Sequence, residues 1–281
     1  MRTATLLLAA LAFVPSAAPA TPTAITALDT VEALAREIVG TETDPLRQTR
    51  LVVDWLNAHF TWNATDYEKR SVAELIAQRG GNCAEQMRVA RSMLTSLGVK
   101  TRRMAEINLQ PFSEQRGLDA AEQIAKVGVR ASVFGAGYND HRWLEVYDAA
   151  SEEWVPADPT LGLVGLDQWE KARVSFGARP VHAIIPSRDM IVPVAVFAME
   201  DEEGFARVVD RSHHYLVDGF AAQHEGRVAT DPDWVKWQAA VDEISPAALA
   251  AFRGQANLLE KVPVMERAGA TYAAMRTRVN G

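Results

Sequence analysis

The chain has 281 residues, 48% hydrophobic and 23% charged, with 17 glycines and 13 prolines. That balance excludes collagen-like, low-complexity and intrinsically disordered chains, and the length allows one large domain or two modest ones. A formal charge of −7 argues against a nucleic-acid-binding face, and a single cysteine, Cys83, rules out an intrachain disulfide and a four-thiolate zinc site. Cys83 is therefore either a buried apolar side chain or a functional thiol.

The first twenty residues combine Arg2, an apolar run from Leu6 to Val14, and Ala18-Pro19-Ala20. This is the pattern of a secretory signal cleaved after Ala20, and the apolar run falls short of the roughly 20 residues that span a bilayer. No later run is long and apolar enough for a span, so the mature chain is expected to be soluble and secreted or periplasmic. An exported, unpaired thiol points to an intermolecular bond or to reactivity.

Past a polar leader at 21–27, helices are predicted at Leu28–Val39 and Asp44–Phe60. The second places Leu51, Val52, Trp55, Leu56 and Phe60 on one face. Ser71-Val72-Ala73-Glu74 is a capping box that opens a short helix ending at Arg79-Gly80-Gly81. A further helix runs from Cys83 to Gly98. The period then changes to that of strands at Val99–Leu109, Val129–Phe134, His141–Tyr147, Trp154–Ala157 and Val181–Ile185. A polar insertion at Pro111–Gly128 carries a short helix at Ala120–Val127, and a helical turn is read at Leu166–Arg173. Met190–Met199 fits a strand or a helix. Helices are predicted at Arg207–Gln223, Asp233–Ile244, Pro246–Leu259 and Met265–Arg278. The organisation is thus a signal peptide at 1–20, a mixed α+β core at 21–186 and a mostly helical region at 187–281.

Asn82 suits a helix N-cap, and Glu85 can reach back to its backbone. Cys83 then occupies the first helical position, where unsatisfied N–H groups and the helix dipole favour a thiolate. Gly80 and Gly81 permit a sharp turn and close approach of a substrate. Met87, Ala90, Met93, Leu94 and Leu97 form an apolar stripe that anchors the helix, and a buried Cys83 extending that stripe is the alternative.

A thiolate nucleophile needs a histidine and a group that orients it. His59, His182, His213, His214 and His224 sit in no such constellation. His141 opens an alternating run that puts His141, Trp143, Glu145 and Tyr147 on one face. A turn at 148–153 returns the chain through Trp154 to Asp158, and Pro159 stops the strand. A two-residue loop at Ala149-Ala150 would put His141 directly opposite Asp158; a shift of two residues would leave them diagonal neighbours. A surface ion pair on a sheet rim is the alternative.

Together, Gly81-Asn82-Cys83 at a helix start, His141-Arg142-Trp143-Leu144-Glu145-Val146 and Trp154-Val155-Pro156-Ala157-Asp158-Pro159 resemble, in order and spacing, the motifs of the transglutaminase-like superfamily. The upstream Phe60-Thr61-Trp62 and the Leu97-to-Arg102 stretch are similar as well, so the resemblance covers about 45–165.

It implies a papain/transglutaminase-like α+β core, a nucleophile helix packed on an antiparallel sheet, followed by the helical C-terminal region. It implies Cys83 as nucleophile, His141 as general base and acid, and Asp158 as its orienting group. The Cys83 N–H and the Trp62 indole are candidate oxyanion donors, with Asn82 and Trp143 lining the cleft. Core packing is the alternative for Trp62. Trp143 also reads as support, and Glu145 as a carboxylate tying strand to helix. The expected substrates are peptide, protein or cell-wall amides, hydrolysed or transferred through a thioester. A non-catalytic peptide-binding scaffold and a protein-crosslinking enzyme are the alternatives. No calcium-loop spacing appears, and no metal or cofactor is called for. The stretch Pro111–Asp140 is expected to line or cover the cleft.

Overall fold

The computed structural model describes residues 31–62, 70–108, 140–174, 192–200, 207–253, 255–256 and 258–280. The signal sequence, the leader, the Pro111–Gly128 insertion, the strands expected at Val129–Phe134 and Val181–Ile185, and His182 lie outside the described residues.

Four helices lead the fold: α1 (Val31–Val39), α2 (Pro45–His59), α3 (Val72–Gln78) and α4 (Cys83–Ser96). Local chemistry starts three of them. Asp44 caps α2 by accepting from the Arg47 N–H, and Pro45 follows at the first helical position, where its missing N–H is not needed. Ser71 with Glu74, and Asn82 with Glu85, form reciprocal capping boxes on α3 and α4. Between these helices lies a two-residue parallel bridge, β1 (Thr61–Trp62) to β2 (Gly80–Gly81).

A six-stranded sheet follows: β3 (Thr101–Asn108), β4 (Asp140–Asp148), β5 (Glu153–Asp158), β6 (Leu163–Val164), β7 (Pro193–Met199) and β8 (Val208–Asp210). The spatial order is β6-β5-β4-β3-β7-β8, and every pairing is antiparallel. Alternation along β4 feeds two cores, one on each side of the sheet. Leu144 and Val146, with Ala157 of β5, join the apolar residues of α1–α4. Trp143 joins a second cluster with Phe197, Trp169, Tyr215, Phe220 and Trp237. The Cys83-bearing helix α4 thus packs on an antiparallel sheet, and a mainly helical C-terminal region covers the other side, as the α+β reading requires.

On that side lie α5 (Leu166–Arg173), still within the core segment, and, from the C-terminal region, a π-helical turn (His214–Gly219) running into α6 (Phe220–Gln223), α7 (Trp234–Phe252) and α8 (Val262–Asn280). Three details differ from the sequence expectation. The segment from Arg207 opens as strand β8 before turning helical. Within the stretch that fits a strand or a helix, Pro193–Met199 form β7, whose seven residues are all buried, so the sheet continues past residue 186. Pro246 lies inside α7 and does not open a new helix. The burial of Ile244, Ala248 and Ala251 on one continuous face outweighs the lost backbone hydrogen bond. At the π-helical turn, a Cβ on Gly219 would meet the Glu170 carboxylate, so a larger residue there requires that side chain to move.

Candidate active site

Cys83 is placed by the turn before α4. Arg79 ends α3 in the left-handed conformation (φ 50°), and Gly80-Gly81 pair with Thr61-Trp62. The Asn82 side chain accepts from the Glu85 N–H at 2.9 Å, and Glu85 Oε2 accepts from the Asn82 N–H at 3.0 Å. Glu85 Oε1 also holds Arg70 at 2.9 Å, and the Gln86 amide donates to the Gly81 carbonyl at 3.0 Å. Four residues thus clamp the backbone on either side of a half-buried thiol. A Cβ on Gly81 would stand 2.9 Å from both Cβ and Oε2 of Glu85. Gly81→Ala is therefore expected to displace the cap. It should lower the alkylation rate of Cys83 roughly tenfold or more while destabilising the fold by only about 1–3 kcal/mol. Labelling kinetics read beside urea unfolding check both.

His141 and Asp158 are fully buried, and His141 Nε2 meets Asp158 Oδ2 at 2.6 Å. They are not directly opposite. The register pairs Leu144 with Ala157 and Asp148 with Glu153, so the loop has four residues, Ala149–Glu152, and the histidine and aspartate are diagonal neighbours. The two-residue loop fails for a local reason. Tight hairpin loops favour residues tolerant of positive φ, which alanines are not, whereas Asp148 accepts from the Ala150 N–H (3.0 Å) and the Ser151 hydroxyl (2.7 Å). Glu152 takes the positive φ of 59°.

Asp158 is held as firmly as the histidine it touches. Its Oδ1 accepts from the Thr160 and Leu161 N–H groups at 3.0 and 3.2 Å, leaving Oδ2 for the ring. Nδ1 makes no conventional hydrogen bond among the described residues, and Cys83 is the other side chain whose hydrogen bonding and charge act on the ring. Burial works against the imidazolium, but the charges and hydrogen bonding of Asp158 and Cys83 outweigh it, pushing His141 up to about 10.

The remaining expected site residues fall in different places. Trp62 is 38% exposed, beside Gly81 through the β1–β2 bridge, which removes core packing as its role. The Asn82 side-chain oxygen is engaged by the helix cap. Trp143 is wholly buried and stacks behind His141, with ring centroids 5.8 Å apart, then meets Trp169 and Tyr215. It supports the histidine from behind and lines no open surface. Glu145 ties β4 to Arg102 of β3 and to Tyr215 of the π-helical turn. Among the other described histidines, His59 bonds the Trp55 carbonyl and His213 pairs with Asp242.

Sequence reasoning missed a buried charged pair beside this site. Glu106 of β3 is the cross-strand partner of His141, and it is ion-paired with Arg173, the last residue of α5. Arg173 also donates to Asn108 Oδ1 at 3.1 Å. Burial pulls the Arg173 guanidinium down to about 9, with Cys83 acting in the opposite direction, so it stays charged at neutral pH. Strand alternation puts residues 106 and 108 on one face, but only the pairing of β3 with β4 brings that face to His141.

A cysteine at the start of a helix that packs on an antiparallel sheet, with a histidine–aspartate pair on adjacent strands, defines a transglutaminase-like core. Residues 32–159 match the family model described as the transglutaminase-like superfamily. No curated protein sequence matches the chain. Among solved structures, a proposed cysteine protease from Cytophaga hutchinsonii is 15% identical, with a TM-score of 0.32, over 49% of this chain and 40% of that one. Rad4–Rad23 bound to a 6-4 photoproduct lesion is 14% identical, with a TM-score of 0.33, over 85% of this chain and 51% of that one. The chain thus spans between two-fifths and about half of these proteins' lengths, and likenesses this weak say nothing about activity.

Proposed function

We propose that the protein is a secreted cysteine enzyme that cleaves or transfers amide bonds of peptide, protein or cell-wall substrates through Cys83, His141 and Asp158. One observation carries this reading: the fully buried His141 ring is bonded to Asp158 at 2.6 Å, and Cys83 is the other side chain that acts on it. The Cys83 thiolate attacks the amide carbonyl carbon, and the resulting oxyanion is met by the Cys83 N–H at the head of α4. The exposed Trp62 indole is a second donor at the same mouth. The tetrahedral adduct collapses as His141 gives its proton to the departing amine, leaving a thioester on Cys83. Water or an incoming amine then attacks the thioester, losing its proton to neutral His141. The thiolate departs and the ion pair is restored. Hydrolysis is the favoured outcome, since export places the thioester in ~55 M water. The secretory element of the reading rests on the pattern of residues 1–20.

Because Cys83 is the sole cysteine, any thiol label reports on it alone. Iodoacetamide should label the wild-type protein at pH 6 within a few-fold of its rate at pH 9. In His141→Ala the pH 6 rate should fall roughly 100-fold, as for a thiol with an ordinary pKa near 8.5. A wild-type protein that already labels like a free thiol would overturn the enzymatic reading in favour of a binding scaffold. Ammonia release from glutamine-containing peptides, with and without incorporation of an added amine, separates hydrolysis from crosslinking.

A further inference from the structure

A histidine held at one nitrogen can still pivot about that bond, so a fixed ring also needs support on its face. His141 has such support. His141 and Trp143 lie on one face of β4 with their rings stacked, centroids 5.8 Å apart and planes 22° apart. Trp143 is gripped in turn by two rings from outside the hairpin. Trp169 of α5 stands 5.3 Å from it, and Tyr215 of the π-helical turn 6.1 Å from it, close to edge-on. Trp169 and Tyr215 also meet each other at 4.6 Å, so the three rings close on themselves. His141 and all three rings are fully buried.

Both outer rings are tied down. The Tyr215 hydroxyl donates to Glu145 Oε1 at 2.6 Å, and Glu145 shares the face of β4 that carries His141 and Trp143. The end of α5 is pinned to β3 by Arg173, which pairs with Glu106 and donates to Asn108. Aliphatic side chains could fill the same volume, but they offer no flat surface against which a flat ring is held. Trp169 and Tyr215 also lie beyond residues 32–159, the segment that matches the family model.

We propose that Trp169 is a positioning residue for His141, acting through Trp143 and wedged in place by Tyr215. This rests on the reading of His141 as the general base and deepens it, since it gives elements outside the matched segment a part in the site. With the brace intact, Trp143 keeps one rotamer and the imidazole stays in the plane in which Nε2 meets Asp158. With Trp169 cut back, Trp143 turns into the space left behind and the imidazole loses its backing.

The experiment follows the His141 ring itself, by NMR of protein isotope-labelled at histidine Cε1, with the signal identified by its absence in His141→Ala. In Trp169→Leu the contact with Asp158 loosens and burial acts with less opposition. The titration midpoint of His141 should therefore fall by about one pH unit or more, while Trp169→Phe, which restores a flat ring, should stay within about half a unit of wild type. The titratable and charged groups around the ring, Asp158 of β5, Glu106 of β3, Cys83 of α4 and Arg173 of α5, are the same in every variant. A purely structural tryptophan would lower stability and leave the midpoint in place. An unchanged midpoint in folded Trp169→Leu overturns the proposal, and so does an equal fall in Trp169→Phe. If Trp169→Leu does not fold, Trp169→Met, which fills more of the space without a flat face, carries the same test with the same outcomes. The midpoint is read without substrate and without reaction at Cys83. Failure here is therefore distinguishable from failure of the proposed function, which shows as free-thiol labelling of the wild-type protein.

Discussion

Asp158→Asn is expected to lower turnover by roughly 10³-fold or more with the fold retained, although the change removes only a charge. In this geometry one carboxylate oxygen accepts from His141 Nε2, and the other from the Thr160 and Leu161 N–H groups. An amide has a single acceptor oxygen. If that oxygen serves the two backbone donors, the amide NH₂ faces the ring, and Nε2 must be unprotonated with the proton moved to Nδ1. If it serves the ring, the NH₂ is buried against two N–H donors, an unsatisfied arrangement that costs about 1–3 kcal/mol per group. Either outcome spoils the histidine.

The same substitution has a pH signature. In the native protein His141 is raised from 6.5 to about 10, so the stability it contributes is complete below about pH 6.5 and is lost as pH rises toward 10. For a shift of that size the loss is on the order of a few kcal/mol. Without the Asp158 charge, burial dominates and pulls the histidine downward, so this alkaline loss should be strongly reduced in Asp158→Asn. Urea unfolding of both proteins between pH 6 and pH 10 measures the difference. Parallel pH dependences would count against Asp158 as the source of the raised histidine.

Glu145→Leu should be the most damaging stability variant, at ~3–5 kcal/mol. Glu145 is fully buried; its Oε2 accepts from Arg102 at 2.5 Å and its Oε1 from the Tyr215 hydroxyl at 2.6 Å. Removing it leaves a largely buried guanidinium with only the longer contact to Glu200, at 3.8 Å, and a buried phenol without its acceptor. It also cuts the polar link from the centre of the sheet to the π-helical turn. Glu145→Gln keeps an acceptor and should lose less. A loss below about 1 kcal/mol in urea unfolding of Glu145→Leu would show that Arg102 and Tyr215 re-pair elsewhere.

Legibility in the sequence followed the range of the interactions. The caps at Ser71 and Asn82 were readable because each involves residues three apart, and they put Cys83 at the head of its helix. The hairpin was readable for nearly the same reason, since few residues separate its strands. Its register moved by two because Asp148 stabilises a four-residue loop in preference to a two-residue one. The histidine–aspartate contact survived because a two-residue shift preserves the face.

By itself the amino-acid sequence determined a cysteine at a helix N-terminus, a histidine and an aspartate on one face of a hairpin, and a likeness to a superfamily whose motifs are short and local. Tertiary structure decided the rest. It joined β7 and β8 to the sheet, exposed Trp62 and buried Trp143, and set Glu106 and Arg173 beside the His141–Asp158 pair. The physical reason is distance along the chain. Capping and hairpin geometry are enforced by neighbours, whereas strand order, burial on two faces of a sheet and pairing of buried charges depend on segments far apart, brought together only when the apolar surfaces are withdrawn from water.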